Sequence, residues 1–187
     1  MLTTQEWKVT IVTSGKIYEG KFLCNPKLQD KRTITFLNTR IASCMDQHAL
    51  EGYIFLKDAS LLLNSKKVFT MDEVSIKTSQ IIFAYDEYKQ MGSDIERKRF
   101  YNLQEQRSQR PISVNIATSI AKGSFYNIKG EYNGAFKKIV SRQFVPLVNV
   151  AIQEIFEKEG QFCKEKNDTK PFIALNRDYI ESIHVID

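Results

Sequence analysis

The sequence has few of the residues that build catalytic or metal centres. It contains two histidines and three cysteines in 187 residues, and neither His48 nor His184 stands beside a second metal ligand at a spacing such as HExxH. Cys24, Cys44 and Cys163 are too far apart for a zinc knuckle and odd in number for a disulfide framework, so we interpret them as buried thiols in a reducing compartment. No nucleophile elbow, phosphate-binding glycine loop or CxxC motif occurs either. These absences predict a protein that is not an enzyme and that holds no metal and no cofactor.

The chain also lacks a long apolar run and a strong local excess of either charge. No run approaches about 18 apolar residues, which is near the length that a membrane-spanning helix needs, and the start MLTTQEWKVT lacks the apolar stretch of a signal peptide. The net charge of +5 comes from 27 basic and 22 acidic residues that are spread along the chain. This charge allows nucleic-acid binding without arguing for it. A cytoplasmic protein that does not bind membranes is expected.

What the sequence does contain is an internal repeat of four segments. The matched pairs are VTIVTS (9–14) with VNIATS (114–119), IYEGKF (17–22) with NIKGEY (127–132), YIFLKDASL (53–61) with FVPLVNVAI (144–152), and VSIKTSQII (74–82) with IALNRDYIE (173–181). Alternating apolar and polar residues predict strands in these segments. Any two β-rich stretches share valine, isoleucine and threonine, but four matches in the same order favour a duplication.

The duplication predicts a mainly β protein with two tandem domains, residues 6–86 and 112–187, each folded as a small barrel. Gly20 and Gly130 lie in mid-strand, where a strongly bent strand comes too close to a neighbour to accommodate a Cβ atom. Gly15 is interpreted as a turn residue with positive φ. None of these glycines implies catalysis.

An α-helical linker is predicted at 87–111, between the two barrels. SDIE (93–96) forms a capping box, in which the serine and glutamate side chains satisfy free backbone donors. Because Pro111 disfavours helical backbone before it, we expect a helix over about 94–108. This helix carries one basic run, Arg97, Lys98 and Arg99. Two aromatic residues follow, so the run could hold single-stranded nucleic acid or simply form a solvated helix face.

The order of these elements resembles that of the Sm-like family, whose members fold as five-stranded SH3-type barrels. The resemblance is carried by the spacing from Gly15 to Gly20, by FLN (36–38) before the third strand and by YIFLKDA (53–59) within it. The chain is most similar to bacterial Sm-like domains of uncharacterised function, here in tandem duplication. The resemblance covers most of both repeats.

The resemblance implies RNA as one possible ligand. Sm-like proteins bind RNA in rings, with an aspartate and an asparagine after the second strand and an arginine-glycine turn between the last two strands. In this chain Asn25 and Asp30 depart from the usual spacing, and Lys77-Thr78 and Asn176-Arg177 replace arginine-glycine. The residues carried over as nucleic-acid contacts are Asn38, Lys77 and Arg177.

The resemblance also implies association through strand edges, because Sm-like barrels pair edge to edge and an unpaired strand invites another chain. A barrel of about 80 residues is marginally stable alone, which favours pairing. The residues expected at these edges are Ile76, Ile81, Phe83, Leu175, Ile180 and Ile183. We therefore expect a non-catalytic adaptor or regulatory scaffold with a protein partner or self-association, as an oligomer or as a pseudo-dimer within the chain. An RNA-binding protein of Sm-like type is the alternative.

Overall fold

The structure, a computed structural model, describes most of the chain as strands. The described residues are 5–24, 33–39, 52–63, 66–86, 112–121, 124–132, 143–164 and 167–186. The strands are β1 (Gln5–Thr13), β2 (Lys16–Cys24), β3 (Tyr53–Leu63), β4 (Lys66–Lys77), β5 (Ile81–Tyr85), β6 (Ile112–Ala121), β7 (Ser124–Tyr132), β8 (Phe144–Lys158), β9 (Gln161–Lys164), β10 (Asp168–Asn176) and β11 (Ile180–Ile186), and the helix is α1 (Thr33–Thr39). Short 3-10 turns occupy Thr78–Gln80 and Arg177–Tyr179. The prediction of a mainly β protein is confirmed.

The eleven strands of the described residues belong to one sheet, in which neighbouring strands pair antiparallel. The order is β11-β6-β7-β8-β10-β5-β1-β2-β3-β4, and β9 pairs with β8 beside this path. Two closed barrels are not supported, because β5 of the N-terminal half pairs with β10 of the C-terminal half. Within the described ranges no ladder joins β4 to β5 or β10 to β11. The predicted helical linker at 87–111 lies outside the described residues.

The pairing of β5 with β10 has a physical cause in their composition. Residues 81–84 and 172–175 are buried without interruption, so both faces of each strand are covered. Strands covered on both faces are apolar throughout and lie inside a sheet, not at its edge. The halves therefore form one sheet instead of two separate barrels.

The two halves nevertheless have the same strand order. The N-terminal order β5-β1-β2-β3-β4 corresponds to β11-β6-β7-β8-β10 in the C-terminal half, and the four matched sequence segments fall on equivalent strands. Gly20 pairs with Val9, and Gly130 pairs with Val114, as the aligned segments require. The backbone bonds that anchor the 3-10 turns also match, at 2.8 Å from the Thr78 nitrogen to the Gly52 oxygen and at 2.9 Å from the Arg177 nitrogen to the Gln143 oxygen.

The glycines have the roles that the sequence predicts. Gly15 has a φ of 74° in the turn between β1 and β2. A Cβ atom at Gly20 would lie 3.1 Å from the Leu56 Cβ and 3.2 Å from the Lys57 carbonyl oxygen. At Gly130 a Cβ would meet β8 at 3.2 Å. Both mid-strand glycines therefore let a neighbouring strand approach closely.

The polar residue that interrupts β3 and β8 adopts left-handed backbone in both halves. The φ angle is 47° at Asp58 and 52° at Asn149, a conformation that Asp and Asn tolerate better than most residues. Lys21 Nζ lies 2.9 Å from Asp58 Oδ2 and 2.8 Å from Glu6 Oε2. Hydrogen bonds to Glu6 and then to Asp58 raise the pKa of Lys21.

Helix α1 is an element that the sequence did not predict. Its seven residues, TITFLNT, include three threonines and an isoleucine, which are weak helix formers. Ile34 and Leu37 are buried in the core, and the Thr33 hydroxyl donates a hydrogen bond to the buried Asp86 carboxylate. Tertiary packing, not local propensity, explains this helix.

Two apolar cores flank the shared strands, and each core takes side chains from both halves. The N-terminal core receives Phe144, Phe172 and Ala174 from the other half, and the C-terminal core receives Val12, Ile82 and Phe83. Because each core contains side chains from the other half, neither half buries its apolar residues fully without the other.

Candidate interaction edges

The halves meet at the ladder between β5 and β10, which we call the internal joint. Phe83 pairs with Leu175 and Ala84 pairs with Ala174 across it, and all four residues are buried. The Phe83 ring also packs edge-on against Tyr126 with 5.2 Å between ring centroids. Burying one large apolar side chain stabilises a fold by about 1.5–3 kcal/mol, so this joint is a permanent part of the molecule.

Asn176 supplies the polar contact of the internal joint. Its side chain is fully buried, and Nδ2 donates to the Ile81 carbonyl oxygen at 2.8 Å. Its Oδ1 accepts from the Asp178 backbone nitrogen at 3.1 Å. One amide therefore satisfies two backbone groups on opposite sides of the joint.

The 3-10 turns of the two halves also touch. Tyr179 Oη donates to the Ser79 carbonyl oxygen at 3.0 Å. Partial burial, and then the nearby charge of Asp178, raise the pKa of Tyr179, so the phenol keeps the proton that it donates. The contact holds equivalent turns of the two repeats side by side.

Lys170 and Tyr85 form a cation–π contact across the internal joint. Lys170 Nζ lies 4.4 Å from the centroid of the Tyr85 ring and 2.9 Å from Asp168 Oδ2. Burial opposes the lysine charge, but the hydrogen bond to Asp168 and the proximity of Tyr85 outweigh it, so the pKa of Lys170 is raised. A cation over an aromatic face contributes about 0.5–2 kcal/mol, depending on its desolvation.

Asn38, carried over above as a nucleic-acid contact, is engaged within the chain. Its Nδ2 donates to the Phe144 carbonyl oxygen at 2.9 Å, and its Oδ1 accepts from the Phe144 nitrogen at 2.9 Å. The amide thus acts as a short strand partner that connects α1 with the start of β8. Both polar atoms of the Asn38 side chain, which a contact with RNA would require, are therefore hydrogen-bonded within the chain.

The sheet ends in β4 on one side and β11 on the other, which we call the outer edges. Most of β4 is exposed, and Ile76 is its one fully buried residue. Residues 181–184 of β11 are exposed, and Ile183 is 42% accessible. The hairpin of β3 and β4 also exposes Leu63 at the end of β3 and Val68 and Phe69 in β4. In the described part of the chain each outer edge lacks a partner on one side, and such an edge presents backbone groups that another strand could bind.

The predicted interaction residues divide between the two kinds of edge. Ile81, Phe83 and Leu175 lie in β5 and β10 at the internal joint, and Ile76, Ile180 and Ile183 lie on the outer edges. The first three are therefore occupied within the chain, and the last three belong to strands that have no partner on one side among the described residues.

Of the remaining predicted nucleic-acid residues, Arg177 has its backbone close to Asn38: the Arg177 nitrogen donates to the Gln143 oxygen at 2.9 Å, and Gln143 precedes Phe144, the residue that Asn38 binds. Lys77 is exposed at the end of β4, and Arg177 begins the second turn with its Nε 3.5 Å from Asp178 Oδ1. The contact between the turns brings these two cations to the same region. Arg97, Lys98 and Arg99 lie outside the described residues.

Other candidate chemistry is sparse in the described part of the chain. It contains no group of three or more His, Cys, Asp or Glu that could hold a metal ion. His184 lies in β11 and is exposed. Cys163 is partly exposed, which corrects the prediction of a buried thiol there. His48 and Cys44 lie outside the described residues.

No helix among the described residues is long and apolar enough to cross a membrane.

Sequence reasoning missed the polar residues that cross the internal joint. These are Tyr85, Lys170, Asn176 and Tyr179. The repeat alignment equates Asn176 with Lys77. A short amide at a position where the other repeat has a lysine was the signal of a buried position. Its partner, the Ile81 carbonyl, could not be identified without the pairing of β5 with β10.

No family model matches the chain, and no match was found among curated proteins or among solved structures. Its function must therefore be inferred from its own geometry.

Proposed function

We propose that this protein is a non-catalytic, cytoplasmic binding module, an adaptor or regulatory scaffold, that associates through its outer edges β4 and β11. Each half would derive from one Sm-like unit of five strands. The internal joint is the observation that carries the proposal, because it pairs the end strand of one half with the end strand of the other half within one molecule. Equivalent strands remain at both ends of the sheet.

The outer edges have the properties that strand addition requires. β4 and β11 contain no proline, the residue that most directly blocks a ladder. A strand that joins such an edge gains main-chain hydrogen bonds, and alternate side chains provide specificity. The exposed side chain of Ile183 and the backbone of β4 on its free side would make these contacts.

The test compares an edge variant with a matched control. Ser75→Lys combined with Ile183→Lys places a charge on each outer edge, which disfavours strand addition. Glu19→Lys, on the exposed face of the interior strand β2, is the control. We expect wild type and control to cross-link to themselves or to a protein from extracts, and the edge variant to lose these products. Equal cross-linking by all three proteins would contradict the proposal.

Single-stranded RNA is the second candidate ligand. The contact between Tyr179 and Ser79 places the turns of Lys77 and Arg177 together, and this observation favours it. Phosphate contacts weaken steeply as salt rises, so filter binding with poly-A and poly-U at two salt concentrations tests RNA directly. Salt-sensitive retention that survives in the edge variant and is lost in Lys77→Ala would favour RNA over the scaffold.

A further inference from the structure

The hairpin of β3 and β4 projects beyond the apolar core. Leu61 is the last buried residue of β3, and residues 66–70 of β4 are all exposed. Successive residues of a strand point to opposite faces, so five exposed residues in a row leave both faces of β4 uncovered by the described part of the chain. The ladder nevertheless continues to the pair of Leu63 with Lys66. We call residues 62–63 and 66–70 the hairpin tip.

Three large apolar side chains are exposed in the hairpin tip. Leu63 is 40% exposed, Val68 51% and Phe69 50%. Phe69 pairs with the buried Leu61, which is two residues from Leu63, so Leu63 and Phe69 share the face that leads out of the core. Large apolar side chains that are grouped at a protein surface mark a contact with another molecule or with lipid. The hairpin tip therefore has the properties of a contact surface.

The hairpin tip is also basic. Lys66 and Lys67 are exposed, and the tip contains no acidic residue. The exposed Lys16 lies beside it, because the next residue, Ile17, pairs with Leu62. Among the described residues none of these three lysines forms an ion pair. Their charges are therefore available to an anionic partner.

The equivalent hairpin of the C-terminal half, formed by β8 and β9, differs in charge. It exposes Phe162 to 69%, but it carries Glu157 and Glu159 beside Lys158 and Lys164. These charges cancel, so this hairpin has no excess that would attract an anionic surface. Of the two hairpins, only that of β3 and β4 combines exposed apolar side chains with an excess of positive charge.

An anionic lipid surface matches this combination. Apolar side chains of peripheral proteins enter the boundary between headgroups and acyl chains to a depth of about 5–10 Å, and β4 extends over about 10 Å from Phe69 to Lys66. Lipid surrounds an inserted segment on all sides, which suits residues exposed on both faces. Lysines at its end attract anionic headgroups. Single-stranded RNA instead stacks on aromatic rings, which Leu63 and Val68 do not provide.

The expectation that the protein does not bind membranes rested on the absence of a long apolar run, which excludes only a helix that spans the bilayer. Contact with the surface needs a few apolar residues and basic charge. We propose that the hairpin tip docks the protein reversibly on an anionic lipid surface, with its apolar side chains in the headgroup boundary and the neighbouring lysines against the headgroups. This contact goes beyond the proposed function, because it uses the end of the hairpin and not the free side of β4.

Co-sedimentation with vesicles tests the charge of the hairpin tip. Wild type should bind vesicles of phosphatidylcholine with about one third phosphatidylserine, and should bind phosphatidylcholine alone far more weakly. Lys66→Ser with Lys67→Ser should weaken binding to the anionic vesicles by roughly 10- to 30-fold, since each lysine near such a surface contributes about fivefold. Lys158→Ser with Lys164→Ser removes the same net charge from the equivalent hairpin and should have little effect.

The apolar part of the contact has its own variants. Val68→Ser with Phe69→Ser should weaken binding to the same vesicles by roughly tenfold or more, whereas Phe162→Ser should not. Insertion is measured directly by comparing Phe69→Trp with Phe162→Trp, because both retain an aromatic ring and both contain Trp7. Tryptophan emission should shift to shorter wavelength on adding anionic vesicles in Phe69→Trp alone.

Raising sodium chloride from about 0.1 M to 1 M shortens the screening length from about 10 Å to 3 Å and should release wild type from the vesicles. Wild type that does not bind anionic vesicles overturns the inference, as does equal binding to phosphatidylcholine alone or binding that the tip variants weaken no more than their controls. If wild type ignores vesicles but retains poly-U through Lys66 and Lys67, the tip contacts RNA and the inference fails. It fails equally if Val68→Ser with Phe69→Ser abolishes a cross-link to protein but leaves vesicle binding unchanged.

Discussion

A single buried amide controls the polar part of the internal joint. Asn176 is fully buried and bonds to the Ile81 carbonyl and to the Asp178 nitrogen. A buried backbone group that loses its partner costs about 1–3 kcal/mol, more than the net gain from a typical hydrogen bond. The consequence of removing this amide therefore exceeds what its size suggests.

Asn176→Ala should lower the free energy of unfolding by about 1–3 kcal/mol, because it leaves the Ile81 carbonyl and the Asp178 nitrogen without their side-chain partner. Urea denaturation followed by circular dichroism measures the loss. Lys77→Ala is the matched control, since Lys77 occupies the equivalent position in the other half and is exposed, and it should change stability by less than about 0.5 kcal/mol. Equal losses in the two variants would show that the amide has no special role.

At the scale of elements, β2 and β7 each bend over the following strand at a glycine. Gly20 lies under Leu56 and Gly130 under Val150, where an added Cβ would approach to 3.1 Å and 3.2 Å. At Gly20 the obstacles include a Cβ atom and a backbone oxygen, neither of which can rotate away. The equivalent backbone oxygen at Gly130 is farther, at 3.4 Å. The two strands are thus alike in geometry, but β7 should tolerate an added Cβ atom better than β2.

Gly20→Ala should destabilise the protein by about 1–3 kcal/mol, because the added methyl group forces β2 and β3 apart. Gly130→Ala should cost less, since its contacts are looser and alanine also restricts the unfolded chain. Thermal unfolding ranks the two variants. Glu19→Ala, on the exposed face of β2, supplies the baseline, and a Gly20→Ala protein as stable as this control would contradict the close approach.

At the scale of the whole molecule, the halves form one cooperative unit, because each core is completed by residues of the other half. β5 and β10 lie between the cores with one face turned to each. Two independent domains would have separate cores and would unfold separately. Loss of packing in one half should therefore lower the stability of both halves.

Leu147→Ala, in the C-terminal core, should lower the free energy of unfolding by about 2–5 kcal/mol, the usual range for such a truncation. Trp7, the single tryptophan, lies on β1 in the N-terminal half. Its fluorescence should report the same shifted urea midpoint as far-ultraviolet circular dichroism. A tryptophan transition that stays at the wild-type midpoint would mean that the halves unfold independently.

Much of the strand layout could be predicted from local sequence. Alternation of apolar and polar residues located the repeated strands, Gly15 marked a turn, and the alignment of Gly20 with Gly130 holds in the ladders. Helix α1 escaped prediction because its residues favour a helix only when Ile34 and Leu37 are packed in the core. The left-handed backbone at Asp58 and Asn149 likewise appears in the sequence only as a polar break.

By itself, the sequence determined that the protein is mainly β and that its two halves share one strand order, because strand alternation and turn glycines act over a few neighbouring residues. Only the tertiary structure decided that these halves form one sheet, with Ile81, Phe83 and Leu175 inside it and Ile76, Ile180 and Ile183 at its ends. Apolar strands such as β5 and β10 carry no local signal of which other strand will cover them. That choice depends on the burial of both faces at once, which is a property of contacts between distant parts of the chain.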